Sequence, residues 1–263
     1  MEEKKVAIGG VEVNYKVEGE GRPVLILHGW GGSSDSWLKV QEILAGKGFR
    51  VLSLDLPGFG KSSDPSRSWD IDDYISLLLK FVEKTGLENF SLVGHSFGGG
   101  LAIKLAADHP ELVEKLAITG AAVFRSPKRL NWRQRTSLFL ARSGALLKGI
   151  PLADKTVYPF VRRFVYRFAG VSDYQKANEV MRATFRRVNG EDLGKYLPSI
   201  KKPVFVIWGG RDRTTPPADA FAIQKAIPGS WIKVIEGSGH SPHLSHPELL
   251  AGLLAGFIAK RQE

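Results

Sequence analysis

The sequence predicts an α/β fold: a mostly parallel, doubly wound sheet with a helical lid inserted into it. Three observations carry this. PVLILHG, FRVLSLDLPG, FSLVGHS, VEKLAITG and PVFVIWGG are short, nearly continuous apolar runs, the composition of strands buried on both faces of a parallel sheet. Helical patterns lie between them, and that alternation winds helices onto both faces of one sheet. Residues 121–198 break the alternation, with helical periodicity and no convincing buried strand. The expected organisation is a core of residues 1–120 and 199–263 around a lid of residues 121–198.

Taken in order, VAIGGVEVNYKVEG alternates apolar and polar residues around Gly9-Gly10, as in a hairpin of half-buried antiparallel strands. The helix over 70–86 starts at Asp70 as N-cap, with Asp73 three positions on. It places Ile71, Tyr74, Ile75, Leu78 and Val82 on one face and stops at Gly86. Further helices are expected over 97–108, 217–227 and 247–260, with the strand WIKVIE before the last. In the lid, one helix gathers Val157, Phe160, Val161, Phe164, Val165 and Phe168; another gathers Ala177, Val180, Met181, Phe185 and Val188.

Composition narrows the chemistry. With no cysteine, a nucleophile must be a hydroxyl, carboxylate or amine, and thiolate metal sites are excluded. No apolar stretch approaches the roughly 20 residues of a membrane span, and MEEKKVAIGG lacks a signal peptide's apolar core. A cytoplasmic protein without stable membrane insertion is expected. The net charge of +10 is confined: residues 121–198 hold 16 Lys and Arg against 5 Asp and Glu, leaving −1 for the remainder. Nucleic acid is not an expected partner, because the aromatic residues of that segment sit on apolar helix faces.

The motif that carries chemistry is NFSLVGHSFGGG, where a strand runs into a helix through Gly94-His95-Ser96-Phe97-Gly98. A serine at so sharp a turn sits in a strained backbone, and the residues two positions either side must be small for strand and helix to approach. The helix N-terminus beneath it favours developing negative charge. Acyl transfer also needs donors for an oxyanion. The candidates are the backbone N–H groups of Phe97, after the serine, and Trp30, in LILHGWGGSSDSW, where glycines let backbone approach a ligand. His28 is expected to fix that loop by hydrogen bonding.

A serine hydroxyl needs a histidine base, and the histidine a carboxylate. Asp212, in GGRDRTTPP at the end of the strand PVFVIW, lies at the sheet's carboxyl edge, where catalytic groups gather. GSGHSPHLSHP offers three histidines, His240, His243 and His246. His240 follows a strand and a turn, placing it at the same edge. His243, one helical turn on, could line the site, and His246 precedes Pro247 at the start of the last helix. The cluster has no carboxylate partner, so neither metal nor cofactor is expected.

HGWGG, DLPGFGKS, GHSFGG, WGGRD and GSGH, in this order, resemble the α/β-hydrolase fold family over the whole chain except the lid, which matches only in position and helical character. The resemblance implies Ser96 as nucleophile, Asp212 as acid, His240 as base, and Trp30 and Phe97 N–H as oxyanion hole. It makes Asp55 structural. Many relatives carry a supporting glutamate five residues after the catalytic histidine; here Ser245 stands there. Ser96 argues against dehalogenases and epoxide hydrolases, which use aspartate. Ser241, in place of the tryptophan usual in relatives that cleave carbon–carbon bonds of diketones, disfavours that branch.

The expected activity is therefore serine hydrolysis of carboxylic esters or lactones through an acyl-enzyme. The alternatives are a carbon–carbon bond hydrolase, a perhydrolase, a ligand receptor that keeps the triad, or a membrane- or protein-binding module with the triad idle. Trp30, Phe160, Phe164, Met181, Phe185 and His243 are the candidate pocket residues, with Arg162, Arg163, Arg167, Arg182, Arg186 and Arg187 opposite the apolar helix faces. A small ester or lactone partner follows, with anionic substrates as a sharper possibility. Monomer and homodimer both fit.

Overall fold

A computed structural model describes residues 1–124 and 178–260. Gly9 and Gly10, at φ 55° and 83°, turn β1 (Glu2–Ile8) back onto β2 (Val11–Glu18) as an antiparallel hairpin. The runs rich in Val, Ile and Leu form β3 (Arg22–Leu27), β4 (Phe49–Leu54), β5 (Phe90–His95), β6 (Val113–Thr119) and β7 (Val204–Gly209). β8 (Trp231–Ile235) closes the far edge and alternates between exposed and more covered residues. The strand order is β1-β2-β4-β3-β5-β6-β7-β8, with β1 and β2 antiparallel to their neighbours and all later pairings parallel.

Strand alternation divides the apolar side chains between the two faces of the sheet. Leu25 and Leu27 join a cluster with α2 (Ile71–Thr85), α3 (Ser96–Asp108) and α5 (Pro217–Ala226), whereas Val24 and Ile26 join one with α1 (Leu38–Ala45) and α7 (Pro247–Ala259). Every residue of β5 is buried, because helices cover both its faces. α2 shows why its sequence is helical. Asp70 and Asp73 close a reciprocal capping box, Gly86 ends the helix at φ 62°, and Ile71, Tyr74, Leu78 and Phe81 are buried. Burying each such side chain stabilises the fold by about 1.5–3 kcal/mol.

Between β6 and β7 the chain carries α4 (Glu179–Val188) and a 3₁₀ turn, Leu193–Ser199. Asn178 caps α4, accepting a hydrogen bond from Met181 N at 2.8 Å. Met181, Thr184 and Val188 are buried while Arg182, Arg186 and Arg187 are exposed, the division expected from periodicity. Ala121, Val123, Val188, Leu193 and Leu197 belong to the same apolar cluster as α2 and α3, so both described ends of segment 121–198 are anchored in the core. The expected helix over 157–168 lies outside the described residues. No helix among the described residues is long and apolar enough to cross a membrane.

Two short elements escape the sequence reading, α1 and α6 (Pro242–Ser245). α1 has no side-chain cap and enters through a 3₁₀ turn at Ser34–Trp37, so the usual start signal is missing. α6 is only four residues long.

Candidate active site

β3 is flanked by β4 on one side and β5 on the other, so the chain reverses its direction of travel there, and the crevice at the strands' carboxyl ends is a natural site. Ser96 sits at that edge, between β5 and α3, with φ 51°. Such a backbone is costly for a non-glycine residue and persists only where its surroundings hold it. Ala122 N donates to Ser96 O at 2.9 Å, and Gly98 N donates to His28 O at 3.2 Å. The flanking glycines are required by space. A Cβ on Gly94 would lie 2.6 Å from Gly98 O, and one on Gly98 would run into the carbonyl oxygens of Leu27 and His28.

His240 arrives from the loop after β8 and Asp212 from the loop after β7. His240 Nε2 is 3.1 Å from Ser96 Oγ, and its Nδ1 is 2.8 Å from Asp212 Oδ2. The continuous chain requires the proton on Nδ1, donated to the carboxylate, and leaves Nε2 to accept from the serine hydroxyl. Asp212 also accepts from Thr214 N at 2.8 Å, Thr215 N at 3.0 Å and the Thr215 hydroxyl at 2.8 Å. Burial pushes its pKa up, but the bonds and charge of His240 and the Thr215 donors outweigh burial and hold the carboxyl below its ordinary value. Two contacts tie the Asp212 loop to the His240 loop. Arg211 N donates to Ser238 O at 2.8 Å, and Gly209 abuts the Gly239 carbonyl so closely that a Cβ has no room.

The neighbouring loop is built from HGWGG. His28 donates through Nδ1 to Gly29 O at 2.7 Å and accepts from Leu56 N at Nε2, 2.9 Å, which makes it the hydrogen-bonded brace expected from the sequence. Full burial depresses its pKa and keeps the ring neutral, as these bonds demand. Asp55 accepts from Ser34 N at 2.6 Å, Lys61 N at 2.9 Å and Asn14 Nδ2 at 3.0 Å. It pins this loop to DLPGFGKS. Gly29 packs on the Ser96 turn, where an added Cβ would be 3.1 Å from Ser96 Cβ. Among the described residues the Trp30 N–H makes no hydrogen bond. Phe97 lies in the first turn of α3, whose N–H groups have no intrahelical partner.

Above the loop the Trp30 ring meets Phe59, Phe97 and Phe185 edge-on, at centroid distances of 4.8, 5.4 and 5.0 Å. Of the expected pocket residues, Trp30 and Phe185 are thus brought together, while Phe160 and Phe164 lie outside the described residues. Met181 is 2% exposed and packs against Gly58. His243 does not join this wall: it is buried, stacked flat on Trp37 at 4.5 Å and 4.5 Å from His95. Burial, with the nearby charges of His240 and His28, lowers its pKa to about 4. His246 bonds to Ser245 Oγ at 2.8 Å. The three histidines of GSGHSPHLSHP therefore serve three different neighbours.

Sequence reasoning missed Phe59, Thr215 and His95, although each stands inside a motif it singled out. Ser245 answers the missing glutamate: its hydroxyl lies 3.1 Å from Ser238 Oγ and 3.3 Å from Ser241 O, bridging the two sides of the His240 loop.

A family model described as alpha/beta hydrolase fold matches residues 22–247. The chain is 30% identical to the dihydrolipoyllysine-residue acetyltransferase component of the acetoin cleaving system of Cupriavidus necator; the match covers 89% of this chain but only 63% of that protein. It is 28% identical to 2-hydroxy-6-oxo-6-(2'-aminophenyl)hexa-2,4-dienoic acid hydrolase of Metapseudomonas resinovorans over 99% of this chain and 92% of the relative. Among solved structures, an esterase from Exiguobacterium antarcticum superposes with a TM-score of 0.75 at 26% identity, covering 97% of this chain and 98% of that one.

Proposed function

The chain belongs to the α/β-hydrolase fold family, and from that premise we propose that it is a serine hydrolase of carboxylic esters or lactones. The observation that carries this reading is the unbroken line from Ser96 Oγ through His240 to Asp212, at 3.1 and 2.8 Å, with the serine held at φ 51°. Ser96 Oγ attacks the carbonyl carbon while His240 Nε2 takes its proton, and Asp212 stabilises the imidazolium. The carbonyl oxygen, now negative, is received by the N–H groups of Trp30 and Phe97. His240 returns the proton to the departing alkoxide oxygen, leaving an acyl group on Ser96. In a lactone that alcohol stays attached to the acyl chain. Water then attacks the acyl carbon, His240 taking its proton and giving it back to Ser96 Oγ.

The aromatic wall of Trp30, Phe59 and Phe185 suits an apolar acyl or aromatic group, and the likeness to an esterase supports the same class. Segment 121–198 is assigned as the lid over this mouth, and its positive charge as a means of attracting anionic substrates. A panel of p-nitrophenyl esters of increasing chain length, with lactones of increasing ring size, tests the reading. Steady turnover is expected, lost in Ser96→Ala and His240→Ala. Stoichiometric labelling that stalls would instead favour a receptor.

A second reading has its own support. The full-length similarity to a hydrolase of a 2-hydroxy-6-oxo-dienoic acid makes vinylogous diketone substrates a rival, although Ser241 stands after the base. Including 2-hydroxy-6-oxo-6-(2'-aminophenyl)hexa-2,4-dienoate in the panel separates them: turnover of that compound above every ester would reverse the assignment.

A further inference from the structure

His95 immediately precedes Ser96 and is buried, 6% exposed, yet nothing in the acyl-transfer chemistry uses its ring. Its surroundings are specific on each side. Nε2 lies 2.9 Å from the carbonyl oxygen of His240, so the ring carries its proton there and donates to the backbone of the base. The opposite edge faces the loop that holds Trp30: a Cβ on Gly29 would come within 2.7 Å of His95 Nδ1, so only glycine permits the loop to rest there. The His240 ring packs at 4.8 Å, and His243, itself backed by Trp37, at 4.5 Å.

We propose that His95 is a positioning residue: one edge anchors the His240 backbone and the other sets the height of the Gly29–Trp30 loop, fixing base and oxyanion donors relative to Ser96. The inference rests on the reading of Ser96 as nucleophile. A neutral ring is required, since a second positive charge beside His240 would oppose formation of its imidazolium. Burial, followed by the charges of His243 and His240, holds His95 well below the ordinary histidine pKa, consistent with that requirement.

The test uses the full chain with His95→Leu, which removes the donor, and His95→Gln, whose amide nitrogen replaces it. Three quantities are read: kcat and KM on a p-nitrophenyl ester, the melting temperature, and the low-field proton resonance of His240 Nδ1–H. In the folded Leu variant kcat is expected to fall about tenfold, the worth of one neutral hydrogen bond, with KM within about twofold and the low-field resonance broadened or shifted. The Gln variant is expected to restore most of kcat and the resonance. Wild-type kcat in the Leu variant, or equal losses in Leu and Gln that follow only the folded fraction, overturns the proposal. If the Leu variant does not fold, His95→Asn, too short to reach the His240 carbonyl, takes its place with the same expected loss. If the wild type turns over no ester, the functional reading fails, and the resonance compared across the same proteins still decides whether His95 positions His240.

Discussion

Replacing His243 by phenylalanine should flatten the acid side of the stability profile. The ring is buried, stacked on Trp37, and its Nδ1 has no hydrogen-bond partner among the described residues, so the fold holds it neutral. In the unfolded chain it takes a proton near pH 6.5, whereas in the fold it does so at about 4. The unfolded state therefore binds the proton first as pH falls. The stability associated with the neutral ring is complete above about pH 6.5 and is lost progressively toward pH 4. Linkage for one such site amounts to roughly 2 kcal/mol lost between pH 7 and pH 5. Phenylalanine keeps a flat ring for Trp37 and cannot titrate. Urea unfolding at pH 7, 6 and 5 should show the variant losing about 2 kcal/mol less than the wild type over that range. His95 and His28, also depressed by burial, leave a residual slope in both proteins. Asp212 acts in a different window: its lowered carboxyl pKa contributes stability that disappears only below its ordinary value of 3.8. An identical pH dependence in variant and wild type would refute the assignment of His243 as a buried neutral ring.

Other outcomes follow from the same geometry. Asp212→Asn should leave the fold intact and lower kcat by about four orders of magnitude, because an amide no longer enforces the Nδ1–H tautomer; stopped ester assays with matched melting curves check this. Gly98→Ala should cost about 1–3 kcal/mol, since its Cβ meets the carbonyl oxygens of Leu27 and His28, and urea melts report it directly. If the basic segment draws anionic substrates, kcat/KM on a carboxylate-bearing ester should fall between low salt and about 0.5 M salt, while a neutral ester of equal size is unaffected. Equal salt dependence would remove that role.

The inner parallel strands β3–β7 are legible because burial on both faces leaves them mostly apolar, and α2 because a capping box and a glycine stop bracket its periodicity. The candidate site is legible through glycine spacing, imposed by the crowding at Gly94, Gly98 and Gly29, and through the order in which its motifs follow one another along the chain. What could not be read was which distant groups meet. Nothing in GHSFGG says that the His95 ring reaches a carbonyl 145 residues later, and nothing in RDRTT says that the Thr215 hydroxyl completes the shell of Asp212. Met181 lies on the apolar face that periodicity predicts, but its partner there, Gly58, belongs to a remote loop. His243 was expected near the pocket from its spacing after His240. It turned inward because the short helix α6 delivers it to Trp37, an aromatic neighbour that sequence cannot assign.

The central claim is that Ser96 becomes acylated. Rapid acid quenching during turnover of a p-nitrophenyl ester, followed by peptide mass spectrometry, tests it most directly. The expected result is one acyl group on the peptide containing Ser96, accumulating with the burst of p-nitrophenol and absent in Ser96→Ala. Sustained turnover by Ser96→Ala, or an acyl group on any other residue, would contradict it.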